Sequence, residues 1–193
     1  MPVDRNDLAR RIAAATPSDT SRGLNFNTVF GLVEDLLGEI EARKLDPQGK
    51  GKRVDFFSYP IAEYLTITWD AADRLEERMG SSDAFFQEVG RRTITGFLDS
   101  LLGKTIWAMA GKDPRRVIAS GPAGYRSAVS YGERRAEFPG EKSARLVFQR
   151  DFMPAVFHAQ VMRTALGYTD AKNARVVGRD TGFLNSEYHI EWD

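Results

Sequence analysis

The chain contains no cysteine, so disulfides, thiolate metal sites and a cysteine nucleophile are excluded. It also carries no excess of either charge: 27 Lys and Arg face 27 Asp and Glu among 193 residues. That balance argues against a nucleic-acid or anionic-membrane partner held by bulk electrostatics. Histidine is scarce, with two residues, His158 and His189. No run approaches the ~18 apolar residues of a membrane span. The opening stretch, Met1-Pro-Val-Asp-Arg-Asn6, lacks the apolar core of a secretory signal. These absences predict a cytoplasmic protein, with which the missing cysteine is compatible. Catalytic signatures are missing too. Ser100, Ser127 and Ser130 lack a Gly-x-Ser-x-Gly elbow. The basic loop Gln48-Gly-Lys-Gly-Lys-Arg53 lacks the phosphate-binding pattern and reads as a connector.

What is present divides into two chemically different halves. From Leu24 to about Ala119 apolar residues recur at helical spacing, and from Tyr125 to Trp192 they alternate as strands do. The pattern predicts an α+β fold, with N-terminal helices packed on a C-terminal antiparallel sheet in hairpin–helix–hairpin order. The length suits a single domain over 1–193, with an N-terminal extension (1–22), a helical part (23–120) and a sheet part (121–193).

Within the helical part, residues 4–15 predict a short helix capped by Asp4. Phe26, Val29, Phe30, Val33, Leu36, Leu37 and Ile40 predict one amphipathic helix to about Lys44. Tyr59-Pro60 opens the next, which Met79-Gly80 closes. A helix capped by Ser82 or Asp83 runs to Leu102 and ends at Gly103, with Gly90 and Gly96 inside it. Each glycine costs ~1 kcal/mol of helix propensity, which points to close approach by a neighbour or to a kink. Asp113-Pro114 begins a short helix that Ser120-Gly-Pro-Ala-Gly124 breaks. Tyr125–Tyr131 then reads as a strand. Pro139-Gly-Glu-Lys142 and Asp180-Thr-Gly182 read as hairpin turns either side of a helix over 154–166.

Few residues present themselves for chemistry. Glu187, His189 and Glu191 share one face of a strand, as metal ligands at i and i+2 can, but a wet sheet face explains them equally. No further ligand type lies nearby in the sequence, so no metal is indicated, and the sequence names no cofactor either way. His158, near the start of an apolar helix, suits a haem ligand, a general base or a hydrogen-bonded core residue. Arg91-Arg92, Arg115-Arg116 and Arg134-Arg135 form doublets that would matter if they converged on an anion. Aromatic residues make up 11% of the chain. Phe56, Phe57, Trp69, Trp107, Phe152 and Phe157 exceed what the helical stripes require, which suits an apolar pocket or a dimer face. Trp69 falls off the main stripe of its helix, toward a second layer or a partner.

Several stretches carry a family resemblance together: Phe57-Ser-Tyr-Pro-Ile-Ala-Glu-Tyr-Leu65, Val89-Gly-Arg-Arg92, Ser100-Leu-Leu-Gly103, Asp113-Pro114, Tyr125-Arg126 with Tyr131-Gly132, and the strand Glu187–Trp192. They resemble a family of functionally uncharacterised proteins of about 200 residues expanded in myxobacteria, over roughly residues 22–193. The layout is also distantly similar to the haem–nitric-oxide-binding and 4-vinyl-reductase-like domains, which run from helices into a hairpin-rich sheet and bind hydrophobic or tetrapyrrole ligands. Haem ligation in that group implies a proximal histidine in the helical region, and residues 1–157 contain none.

The sequence therefore predicts a non-catalytic, sensor-like module holding a small hydrophobic molecule between helices and sheet. Trp107, Tyr125, Phe157 and His158 are the candidate wall. A homodimeric or other protein–protein interaction module without a ligand is the alternative. An enzyme would rest on His158, the arginine doublets and scattered carboxylates alone.

Overall fold

The computed structural model describes residues 3–46 and 49–193. Its elements run α1 (Arg5–Ala14), β1 (Thr20–Arg22), α2 (Gly23–Leu37), α3 (Glu39–Arg43), β2 (Ser58–Pro60), α4 (Ile61–Met79), α5 (Ser82–Asp99), α6 (Leu101–Ala110) and α7 (Pro114–Ala128), then β3 (Glu133–Gly140), β4 (Ser143–Gln149), α8 (Ala155–Leu166), β5 (Arg175–Gly182) and β6 (Asn185–Glu191). The fold is α+β, with helices preceding the main sheet. No helix among the described residues is long and apolar enough to cross a membrane.

Helix starts follow capping chemistry, because the first N–H groups of a helix need acceptors. Asp4 accepts from Asn6 and Asp7, Ser81 from Ala84, Ser100 from Gly103, and Asp113 from Arg115 and Arg116. The cap of α5 is thus Ser81, one residue before the expected pair. The single helix expected to Lys44 is split at Gly38, whose φ of 91° no helix accepts, into α2 and α3. The helix expected to reach Leu102 stops at Asp99, and Gly103 lies inside α6 instead of ending α5. A Cβ at 103 would stand 1.9 Å from the Phe97 carbonyl oxygen, so the chain can fold back this tightly only on glycine.

The largest departure is α7. It runs through the expected break at 120–124 and absorbs most of the expected strand Tyr125–Tyr131, so the main sheet starts at Glu133. Pro122 inside it forfeits a helix hydrogen bond, at about 3 kcal/mol. Burial of Val117 and Ile118, each worth roughly 1.5–3 kcal/mol, offsets that cost. The small strands also escape the periodicity. Thr20–Arg22 pairs antiparallel with Ser58–Pro60, which fastens the N-terminal stretch to the start of α4.

The main sheet has the order β3-β4-β6-β5, antiparallel throughout. The two expected hairpins join through β4 and β6, with Ala144 opposite Ile190 and Leu146 opposite Tyr188. Alternation then sends Ala144, Leu146, Phe148, Val176, Tyr188 and Ile190 to one face, where they bury against Ala155, Ala159, Met162 and Leu166 of α8. A second cluster joins α1, α2, α4 and α5 around Phe26, Leu65, Trp69 and Phe86. Trp69 faces a second layer: it meets Phe86 edge-on at 4.9 Å, and Arg11 of α1 covers its ring.

Helix α5 crosses α8 at Gly90, where a Cβ would stand 2.5 Å from the Phe157 carbonyl oxygen. Gly90 is therefore the close approach its position suggested, whereas Gly96 faces open space. The loop before α4 is more than a solvated connector. Arg53 is buried beside Asp46 and Glu63, with its guanidinium near the rings of Phe26, Phe30 and Tyr59. Gln48 of that loop lies outside the described residues.

Candidate ligand-binding cavity

Because α6 folds back on α5 and α7 returns across the sheet, a space of about 640 Å³ remains between α5, α6, α7, α8 and the sheet. That volume falls in the range of small-molecule sites. Its wall is apolar over most of its extent, with Ile94, Phe97, Leu98, Ile106, Val161 and Met162 among the lining residues. Trp107, Tyr125, Phe157 and His158, from three helices, all line it. Trp107 meets Tyr168 ring to ring, at 6.1 Å. Leu101 and Phe56 line the cavity while standing 85% and 71% exposed, so the opening is rimmed by apolar side chains.

One part of the wall is polar, where Tyr125, Arg134 and His158 line it, and the last two bond Asp151, which stands outside the lining. Asp151, just after β4, is 2% exposed. Its Oδ1 accepts from the Met153 N–H at 3.0 Å and meets His158 Nε2 at 2.7 Å. Its Oδ2 accepts from Arg134 of β3, whose second amino group donates to the Tyr131 carbonyl. His158 Nδ1 in turn meets the Tyr125 hydroxyl at 3.0 Å. Rings enclose this chain. Phe157, Phe148 and Tyr125 lie 4.9, 5.0 and 5.4 Å from the imidazole, and the Arg134 guanidinium stacks over Tyr125 at 4.8 Å.

Burial alone would push the Asp151 carboxyl up; the adjacent His158 and Arg134 outweigh it and hold the group well below the usual carboxylate range. Burial and the Asp151 charge push the Tyr125 phenol up, so it keeps its proton. Asp151 is therefore an acceptor, and the His158 Nε2 proton points at it. Asp151 was not singled out in the sequence, and Arg134 stood there only as half of a doublet, because the two sit 17 residues apart and only β3–β4 pairing joins them. A local trace exists in Asp151 itself, which precedes Met153-Pro154 and bonds the N–H two residues on, as a turn-forming aspartate does.

The other candidates do not assemble. Ser100 and Ser127 donate to the carbonyls of Phe97 and Gly124, and Ser130 to that of Ser18. The arginine doublets share no partner: Arg91 and Arg92 pair with Glu88, Arg115 donates to Gly140 and Glu141 carbonyls, and Arg134 is spent on Asp151. Glu187 lies buried under Arg145, Arg179 and His189; hydrogen bonding to Arg145 lowers its pKa to about 2. Glu191 is not part of that cluster, and among the described residues no group of three or more His, Asp or Glu is placed to hold a metal.

A family model described as "Protein of unknown function (DUF2378)" matches residues 14–193. No curated protein matches the chain. Several solved structures share its fold. The Fe(II) unliganded H-NOX protein from K. algicida superposes with a TM-score of 0.69 at 16% identity, over 89% of this chain and 96% of that one. The S. oneidensis H-NOX protein in its Fe(II)NO state gives 0.71 at 13% identity, over 89% and 99%. An oxygen-binding H-NOX domain related to soluble guanylate cyclases gives 0.61 at 12%, over 89% and 95%. At these identities the likeness is one of fold.

Two of these neighbours are Fe(II) proteins, and the residues of this chain's cavity do not fit ligation of such a centre by histidine. His158 is the one histidine lining the cavity, and both its ring nitrogens are already bonded, to Asp151 and to Tyr125. His189 stands on the outer face of the sheet with Glu187. The chain has no cysteine to replace them.

Proposed function

Since the chain belongs to the DUF2378 family and has the H-NOX fold, we propose that it is a non-catalytic, sensor-like module that binds a small hydrophobic molecule in the cavity between α5–α8 and the sheet, without haem. The observation that carries this reading is the cavity itself, about 640 Å³ of mostly apolar wall with one buried polar cluster. Sites of this make-up gain affinity from apolar contact and orientation from a few placed polar groups. A nucleophile is missing from the reading for a physical reason. Tyr125 is held protonated by burial, and Ser100, Ser120 and Ser127 of the wall donate to backbone carbonyls.

Native mass spectrometry of gently purified protein, beside a denaturing spectrum, tests the proposal. Extra mass that disappears on denaturation is the expected result. Apo protein that also fails to take up a neutral apolar dye would refute ligand binding. A clean apo dimer with the opening at Leu101 and Phe56 covered would point to an interaction module instead.

A further inference from the structure

Two arginines line the cavity, and their partners differ. Arg134 stands in the buried polar part, where the Asp151 carboxylate matches its charge. Arg22, the last residue of β1, is half-buried at the opening. Its Nε donates to the Ser127 carbonyl in the last turn of α7 at 3.1 Å. Its Nη1 donates to the carbonyl of Phe56, a rim residue that stands 71% exposed. A guanidinium carries a full charge and five N–H donors. The two carbonyls take one donor each and neutralise no charge. Nη2 keeps both of its N–H groups, and among the described residues Arg22 makes no ion pair.

One carboxylate belongs to the same lining, that of Asp55. It is exposed and accepts from Asn27 Nδ2 at 2.7 Å, so water and an amide satisfy it. Arg22 is placed otherwise. A cation drawn partly out of water without a counter-charge is costly, and an anion that brings charge-assisted hydrogen bonds relieves that cost. Away from Arg22 and the Asp151 cluster the wall is apolar, with Ile94, Phe97, Ile106 and Met162 in it. A charged edge at the opening and an apolar interior are the two halves of a site for an amphiphile.

We propose that the cavity takes an amphiphile with a single negative charge, its anionic head on Arg22 at the opening and its apolar body among the side chains of α5, α6 and α8. This rests on the hydrophobic-ligand reading and names the ligand class of that same cavity. One unmatched guanidinium answers one negative charge. A second charge on the head would stay unpaired and would meet Asp55. Arg134 does not offer an equivalent seat, because its two amino groups are spent on Asp151 and the Tyr131 carbonyl.

The test displaces a neutral apolar dye, N-phenyl-1-naphthylamine, from the full chain at pH 7.5 with three probes of one chain length: decanoate, 1-decanol and decylammonium. An apolar cavity with no charge to offer prefers the alcohol, since a carboxylate gives up more hydration on entering. Decanoate should nevertheless be the strongest competitor and decylammonium the weakest. Arg22→Met should lower the decanoate-to-decanol ratio by about tenfold, the worth of a charge-assisted hydrogen bond. Arg22→Lys, which keeps the charge, should leave decanoate ahead. The ratio is internal to each protein, so it does not depend on how well a variant holds the dye, and the wild-type order needs no variant at all. Decanol as the strongest competitor overturns the anionic head and leaves the cavity reading standing, and decylammonium as the strongest overturns it in favour of a cation beside Asp55. A ratio unchanged in Arg22→Met, or one that falls equally in Arg22→Lys, removes the Arg22 charge as the seat and overturns the proposal. A dye that never binds removes the cavity reading and this inference with it.

Discussion

Replacing Asp151 with asparagine keeps the size of the side chain and removes its charge. In the folded protein Arg134 would lose its counter-charge in a place where its side chain is 3% exposed, and His158 would lose the acceptor that orients it. Breaking a buried ion pair from one side typically costs about 3–5 kcal/mol, because the remaining charge is left uncompensated. For a chain of this size that corresponds to a fall in Tm of roughly 6–20 °C. The effect has a pH signature whose sign follows from the depressed carboxyl of Asp151. Its stabilisation is fully present above the unfolded value of 3.8 and is lost as pH falls through the lower folded value. Urea unfolding of wild type and variant from pH 7 to pH 3 should give a constant gap at the upper end that starts to close below about 4. Replacing both partners with apolar residues, Asp151→Leu with Arg134→Met, should cost far less than the single change. A single-variant loss below about 1 kcal/mol, of the size seen for exposed pairs, would refute the buried-pair reasoning.

Four further outcomes are expected. Gly90→Ala should destabilise by roughly 1–3 kcal/mol through its clash with the Phe157 carbonyl, while Gly96→Ala, in open space, should stabilise by up to about 1 kcal/mol; chemical denaturation of the pair checks both signs. Trp107→Ala should weaken retention of an apolar dye without unfolding the chain, since the ring is only half-buried; unchanged retention would remove Trp107 from the wall. Titration with haem should yield no histidine-ligated absorption spectrum, and a stoichiometric one would show that His158 can leave Asp151 and Tyr125. Hydrogen bonding to Arg150 lowers the Asp19 carboxyl to about 2, so Arg150→Gln should return it toward 3.8, as carboxyl NMR titration would detect.

The sequence by itself determined the class of the fold and the inward faces of most elements, because those depend on periodicity and local caps. The α4 stripe, the Asp4 and Asp113 caps, and Tyr188, Ile190 and Trp192 on one face of the last strand were all legible in this way. It also pointed to Trp107, Tyr125, Phe157 and His158, through their aromatic or lone-histidine character, and the folded chain brings these four to one cavity.

What only the tertiary structure decided is what depends on residues distant in the chain. Tyr125 read as a strand residue because Gly121, Pro122 and Gly124 are poor helix formers. It is helical because burial of Val117 and Ile118 outweighs local propensity. The role of His158 was undetermined until Asp151, Arg134 and Tyr125 met around it and took both its nitrogens. Local propensity acts over a few residues, whereas a buried charge must find its partner wherever the fold brings one. The helices and strands could therefore be read from the chain, and the chemistry of the cavity could not.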